Sequence, residues 1–340
     1  MKRKIFFTKD KNITSFNCDD FKKATEFAKL HHVKLPSKTW LKKNINIMRR
    51  FEKYYDEIIE KCKPKLIIIE CYYSLEGMAL IRSAKKHSIK VADLQHGVQG
   101  SKHIAYADWK KIAEGYELLP DIFFVYSQTE ADIINKWATL DKQQAIVIGD
   151  AWLEAWQNNK AQLPLAFSNC VKKAESIVPA EADVEILFSM DYGMPDKNII
   201  KIINESPKNY FWWIRMHPIC KNNYANFDKN FRKSITHKNV NWLEATELPL
   251  PAILARINLH ITYCSSITIT CDRLGIPTIV ETESLFTDYN LKNCVYCSMK
   301  KVNNELIRKV LIDNTYSKEM SKKDNTAGIE FIKNLLRRDI

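Results

Sequence analysis

Glycine is scarce in this chain: 340 residues contain 8. Flexible low-complexity and collagen-like architectures are thereby excluded, and the place of each glycine becomes informative. Long apolar runs are missing too, since none approaches the ~18 uninterrupted residues of a membrane span. The opening Met1-Lys2-Arg3-Lys4-Ile5-Phe6-Phe7-Thr8 has an apolar run well short of the ~7–15 residues of a secretory leader. A cytoplasmic protein is the expectation.

Cysteine supplies no disulfide framework. The 9 cysteines are an odd number, scattered, and several sit in apolar runs such as Tyr263-Cys264-Ser265, as reduced core thiols do. Cys294 and Cys297 have CxxC spacing, but no His or Cys follows to complete a zinc site. No Asp-x-Asp triplet occurs either, so neither a metal nor another cofactor is expected. Internal repeats of 20–50 residues are absent, which removes solenoids.

Positive charge, in contrast, is plentiful: 52 Lys and Arg face 40 Asp and Glu, a net +12. Such a balance favours anionic partners such as phosphorylated substrates or an acidic membrane surface. Its basic residues form small clusters (Lys42-Lys43, Arg49-Arg50, Lys85-Lys86, Arg337-Arg338) with no nucleic-acid-binding signature. Nucleic acid is therefore not an expected partner. An anionic membrane surface is kept as one, with peripheral attachment at the inner face of the cell membrane.

At ~100–200 residues per domain, the length implies two domains. Ser37 caps a helix through Lys61, with Trp40, Ile47, Phe51 and Ile58 at helical spacing. Continuous apolar runs at 65–70, 89–94, 121–126 and 145–148 read as buried parallel strands, separated by helices at 74–87 and 129–140. After Pro164 and Pro179 the pattern restarts, with strands at 184–189, 210–215, 259–262 and 278–281. Helices are expected at 196–204, 250–255, from 268, at 303–314 and at 326–337. The spacing predicts an N-terminal Rossmann-like domain over 1–157, a linker region over 158–183 and a second Rossmann-like domain over 184–325. A terminal helix over 326–340 is expected, one that can pack back on the first domain. Two doubly wound α/β domains facing a central cleft are the expected architecture, with ligands at the carboxyl ends of the strands.

Three constellations fall at such strand ends. In Leu94-Gln95-His96-Gly97-Val98-Gln99-Gly100 a strand runs into a His-Gly loop. His96 there suits proton transfer from a hydroxyl near neutral pH, and a hydrogen-bonded structural histidine is the alternative. In Ile214-Arg215-Met216-His217-Pro218, Arg215 and His217 are two apart on one strand face and suit a phosphate. Thr262-Tyr263-Cys264-Ser265-Ser266 opens a helix, where hydroxyls and N–H groups converge on an anion or simply cap the helix. Met190-Asp191-Tyr192-Gly193 is a fourth loop where backbone can approach a phosphate. Glu70 and Glu76 border the turn after the 65–70 strand and are alternative carboxylate bases.

These motifs together, with Leu274-Gly275-Ile276-Pro277-Thr278, resemble bacterial GT-B glycosyltransferases of capsule and lipopolysaccharide synthesis. The His-Pro and Ser-Ser pair is similar to CMP-sugar sialyl- and Kdo-transferases. The His-Gly loop followed by Arg-x-His is similar to CDP-glycerol-type transferases. The resemblance spans roughly 60–285. It implies a GT-B-like fold and a metal-independent glycosyltransferase taking a nucleotide-sugar donor, CMP-sugar favoured, to a glycan or lipid-linked acceptor.

The resemblance also implies roles. Gly193, Arg215, His217, Ser265, Ser266 and Glu281 would bind nucleotide, His96 or Glu76 would be the base, and Gln95, His103 and Tyr106 would meet the acceptor. The chain departs from the pattern at two places. Leu75-Glu76-Gly77 stands for an acidic-acidic-Gly motif, and Cys271-Asp272 for the usual Glu-Ala. A nucleotide-sugar 2-epimerase-like isomerase and a non-catalytic glycan-binding partner are the alternative functions.

Overall fold

The computed structural model describes residues 18–30, 34–158, 165–190, 194–217, 220, 224–313 and 326–337. The chain opens with helices α1 (Cys18–Leu30) and α2 (Lys38–Cys62). Ser37 caps α2, its hydroxyl accepting from Trp40 N at 3.1 Å. There follow β1 (Leu66–Ile69), α3 (Leu75–Lys86), β2 (Lys90–Leu94), β3 (Ile122–Val125), α4 (Gln128–Asn135), β4 (Gln144–Val147) and α5 (Ala151–Asn158).

The four strands are parallel, in the order β1-β2-β3-β4. Helices pack on both faces, which is why β1 and β3 are continuous apolar runs rather than alternating. On one face Val91, Phe123 and Val125 pack with Ile59 of α2, Ile81 and Ala84 of α3, and Ala131 and Ile134 of α4. On the other, Ala92, Ile122 and Phe124 meet Phe331 and Ile332 near the end of the chain.

Next come α6 (Leu165–Ile177), β5 (Val184–Ser189), α7 (Lys197–Asn204), β6 (Tyr210–Arg215), α8 (Tyr224–Ser234), β7 (Val240–Asn241), α9 (Leu243–Glu247) and α10 (Leu250–Leu254). The chain continues through β8 (Leu259–Thr262), α11 (Ile267–Arg273), β9 (Thr278–Val280), β10 (Cys294–Tyr296), α12 (Asn304–Asp313) and α13 (Thr326–Arg337). The second sheet is all parallel, ordered β10-β9-β8-β5-β6-β7. It starts in the middle at β5, runs outward to β7, then returns to β8 on the other side. That reversal is a topological switch point, where loops diverge and a crevice opens at the carboxyl ends of β5 and β8.

Side-chain alternation divides the second core. Trp212 and Ile214 face α7, α8 and α12 through Ile199, Phe227 and Ile307. Phe211 and Trp213 face α6 and α10 through Ala174 and Ile253.

The structure differs from the sequence reading in several places: α1, α5, α6, α8, α9, β7 and β10 are not among the expected elements. The 158–183 stretch read as linker contains α6, whose Cys170, Ala174 and Ile177 pack under the second sheet. The first sheet advances in one direction among the described residues, so only the second has a reversal of strand order. Among the described residues, no helix is long and apolar enough to cross a membrane.

Candidate functional site

The first wall of the cleft is built where β1 and β2 end. Cys71 adopts φ 60, a left-handed conformation uncommon for a residue with a Cβ. Its Sγ comes to 2.9 Å from His96 Nε2 and 3.7 Å from the Tyr73 hydroxyl. Burial pushes the Cys71 thiol pKa up, so the neutral thiol and the imidazole share a hydrogen bond whose donor is set by the His96 tautomer. Burial also holds the His96 imidazole below its usual range, against the opposing pull of Glu70. The ring remains reachable by solvent.

Behind His96 lies Asp93, 1% exposed. It accepts from Tyr72 N at 3.2 Å and from the Tyr106 hydroxyl at 2.8 Å. Burial pushes its pKa up to about 7, and the Glu70 charge adds to the rise. Tyr106 packs edge-on to Tyr72 and Tyr73, and its centroid lies 4.9 Å from the His103 ring. His103 is half-buried, and its pKa is also lowered by burial and by His96.

The placement differs from the acceptor-contacting role expected of Gln95 and Tyr106, because both are buried behind the wall. The Gln95 amide donates to Gly97 O and Glu130 Oε1 and accepts from Tyr126 N. All of that holds the loop rather than facing the cleft. Glu76 differs as well: it sits in the first turn of α3 and accepts from the Tyr55 hydroxyl at 3.0 Å. The carboxylate acting on His96 is Glu70.

The second wall is made by β6, β8 and the turn into α11. Ser265 Oγ accepts from Ile267 N, whereas Ser266 makes no side-chain cap bond to the helix. Arg215 is the last residue of β6, and His217 lies beyond the strand's end. Arg215 Nη1 instead donates to Ala245 O at 2.5 Å and Leu248 O at 2.9 Å. Its burial lowers its pKa to about 10. His217 is exposed. Glu281 lies at the end of β9 and accepts from Ser298 Oγ and Met299 N, holding the chain after β10. Gly193 lies outside the described residues.

The two walls meet. A Cβ built on Gly97 would lie 3.9 Å from Ser266 Oγ. Beyond it, Ser101 N donates to Asp288 Oδ2 at 2.6 Å and Gln99 N donates to the Tyr289 hydroxyl at 3.3 Å. Val98 joins the apolar cluster of Ile269, Val280 and Phe286. The Arg273 guanidinium lies 5.6 Å above the Tyr126 ring centroid. Two motifs 169 positions apart, at 97 and 266, thus face each other across the domain boundary.

No protein-family model matches the sequence, and no curated protein does either. Solved structures do match in fold. A UDP-GlcNAc 2-epimerase from Neisseria meningitidis bound to UDP-GlcNAc superposes with TM-score 0.58 at 16% identity, covering 94% of this chain and 89% of that one. The UDP-GlcNAc 2-epimerase from Methanocaldococcus jannaschii gives 0.55 at 14%, covering 92% and 89%. The wall teichoic acid polymerase TagF soaked with CDPG gives 0.52 at 12%, covering 96% and 98%. The fold is GT-B. In its two parallel-sheet domains the 95–103 loop follows the carboxyl end of β2 and the 262–266 turn that of β8.

Sequence reading missed Cys71, Tyr73 and Asp93 as members of the first wall. The signal present was position: Cys71 and Tyr73 directly follow the 65–70 run, and Asp93 lies in the strand that delivers His96.

Proposed function

We propose that the protein is a nucleotide-sugar-dependent transferase of bacterial surface-glycan synthesis, moving a sugar to a hydroxyl of a glycan or lipid-linked acceptor. The observation that supports this best is the approach of Gly97 to Ser266, which brings the loop carrying His96 beside the Ser-Ser turn. In this reading His96 takes the proton of the acceptor hydroxyl as the acceptor oxygen bonds to the anomeric carbon. The bond from that carbon to the phosphate oxygen breaks, and negative charge passes to the departing nucleotide. His217, Ser265 and Ser266 receive that charge, and Gly193 and Glu281 belong to the same nucleotide side. Arg215 supports it by fixing the end of α9. His103 faces the acceptor, and Gln95 and Tyr106 brace the wall from behind.

CMP-sugars are the proposed donors on the motif resemblance, and the net charge of +12 fits peripheral attachment to anionic lipid. A second reading is favoured by the solved UDP-GlcNAc 2-epimerases of similar fold: isomerisation of the donor itself. One experiment separates them. The protein is incubated with CMP-, CDP- and UDP-sugars, with and without an acceptor pool from bacterial surface glycan. Nucleotide release that needs acceptor supports transfer, and an isomerised donor without acceptor supports the epimerase. Binding without either product makes the protein a non-catalytic partner.

A further inference from the structure

Beneath the Ser265-Ser266 turn, the second sheet carries a polar stripe through an otherwise apolar core. His260 and Thr278 are register partners on β8 and β9, and Thr262 and Ser189 are partners on β8 and β5. All four side chains are buried. His260 Nε2 lies 3.0 Å from Ser189 Oγ, and Nδ1 lies 3.3 Å from Thr278 Oγ1. The Thr262 hydroxyl donates to Ser189 O at 2.9 Å and accepts from Ser265 N at 3.2 Å. A path therefore runs from Thr278 through His260 to the Ser189 side chain, and from the Ser189 carbonyl through Thr262 to the amide of Ser265.

Enclosure on every side keeps the imidazole uncharged, its pKa lowered by burial to about 3. A neutral imidazole has one donor and one acceptor, and the flanking hydroxyls can serve either. Four polar side chains in a sheet core carry a desolvation cost that apolar residues there would avoid, so packing does not account for them. Satisfied buried networks do fix a single geometry. This one ends on the first residue of the Ser-Ser turn.

We propose that His260 is a positioning residue, which through Ser189 and Thr262 holds the Ser265 amide and so aims the Ser265 and Ser266 hydroxyls at a nucleotide phosphate. The inference rests on the nucleotide role proposed for that turn. It adds a specific cause for the turn's geometry, located in the sheet beneath it.

Two substitutions of Thr262 test it with little change of shape. Thr262→Val removes the hydroxyl link, and Thr262→Ser keeps it. UDP, CDP and CMP are titrated calorimetrically into the full-length native protein, and the tightest of the three is used for the variants. Thr262→Val should weaken it about fivefold and Thr262→Ser should restore near-native affinity, the size expected for one hydrogen bond. His260→Phe, if folded by near-ultraviolet circular dichroism, should match Thr262→Val; if it does not fold, Ser189→Ala, which removes the hydroxyl bonded to His260, takes its place, and native affinity in that variant removes His260 from the role. A folded Thr262→Val protein with lowered Tm but native affinity would overturn the proposal. The Ser265→Ala/Ser266→Ala double variant identifies which statement failed. If it weakens binding while Thr262→Val does not, only the positioning role falls. If neither weakens binding, or the native protein binds none of the three nucleotides, both fall.

Discussion

The two sheets present their cleft edges with different chemistry. Around the ends of β1 and β2 the side chains are titratable: Cys71, Asp93, His96, His103 and Tyr106, several with displaced pKa values. Around the ends of β5 and β8 they are mostly hydroxyls, Ser189, Thr262, Ser265 and Ser266, with a histidine held neutral below them. The first arrangement can move a proton, because burial and neighbouring charge set its acid strengths. The second can stabilise an anion without itself changing protonation. The contrast also follows topology, since only the second sheet has a strand-order reversal among the described residues.

The largest expected effect is on the first wall. If it alone moves the proton, His96→Ala lowers kcat by ~10²–10⁴ while nucleotide affinity stays native. Glu76→Gln should leave turnover close to native, because Glu76 is occupied by Tyr55. The His96 pKa is lowered, so the acid-side fall of the native kcat profile should lie below the ordinary histidine range of ~6.5. A large loss in Glu76→Gln with a silent His96→Ala would reverse the assignment.

A second test acts on the opposite wall. Ser265→Ala/Ser266→Ala should weaken nucleotide binding by ~1–3 kcal/mol if bonds to a charged phosphate are lost. Equal loss from this variant and from His96→Ala in a calorimetric titration would erase the division between the walls.

The third concerns pH and stability. Burial pushes the Asp93 carboxyl in the folded protein up to about 7, from the ordinary carboxylate value of 3.8. The native state therefore holds a proton that the unfolded chain has released, and stability falls as pH rises between those values. Above about 7 the penalty is complete and stays level. Each unit of displacement corresponds to ~1.4 kcal/mol. Asp93→Asn should flatten this part of a denaturant-stability profile measured from pH 4 to 8. A slope unchanged in the variant would assign the pH dependence to another group.

The smallest effect is expected where the walls join. A Cβ at Gly100 would lie 2.7 Å from Asp288 Oδ2 and 3.3 Å from the Tyr289 ring. Gly100→Ala must displace the carboxylate that accepts from Ser101 N, costing about 1 kcal/mol in urea unfolding. In an Asp288→Ala background the same change should cost less, a coupling that a double-mutant cycle reads directly. Additive costs would mean that the loop is not fastened through Asp288.

By itself, the sequence determined the positions of most strands and the two-domain layout. Runs such as Ile122–Val125 and Phe211–Ile214 are apolar at every position, as suits a strand covered on both faces. Strand-end placement likewise made His96 and the Ser265-Ser266 turn legible. It did not reveal α6, whose Cys170, Ala174 and Ile177 do fall at helical spacing but lie between Pro164 and Pro179, which read as linker punctuation. Nor did it reveal β7, a two-residue strand too short for a pattern.

Only the tertiary structure decided which side chains face the cleft. Gln95 and Tyr106 looked accessible from their loop, yet the buried amide of Gln95 and the hydroxyl of Tyr106 find partners inside, in Glu130 and Asp93. Arg215 looked like a phosphate ligand, yet β6 ends there and its guanidinium meets carbonyls of α9 and beyond. The approach of Gly97 to Ser266 and the stripe from Thr278 to Ser265 bring together residues distant in the chain. Local spacing carries no record of such meetings, because strand pairing within the second sheet sets the stripe and packing between the two domains sets the approach, not the periodicity of any one strand.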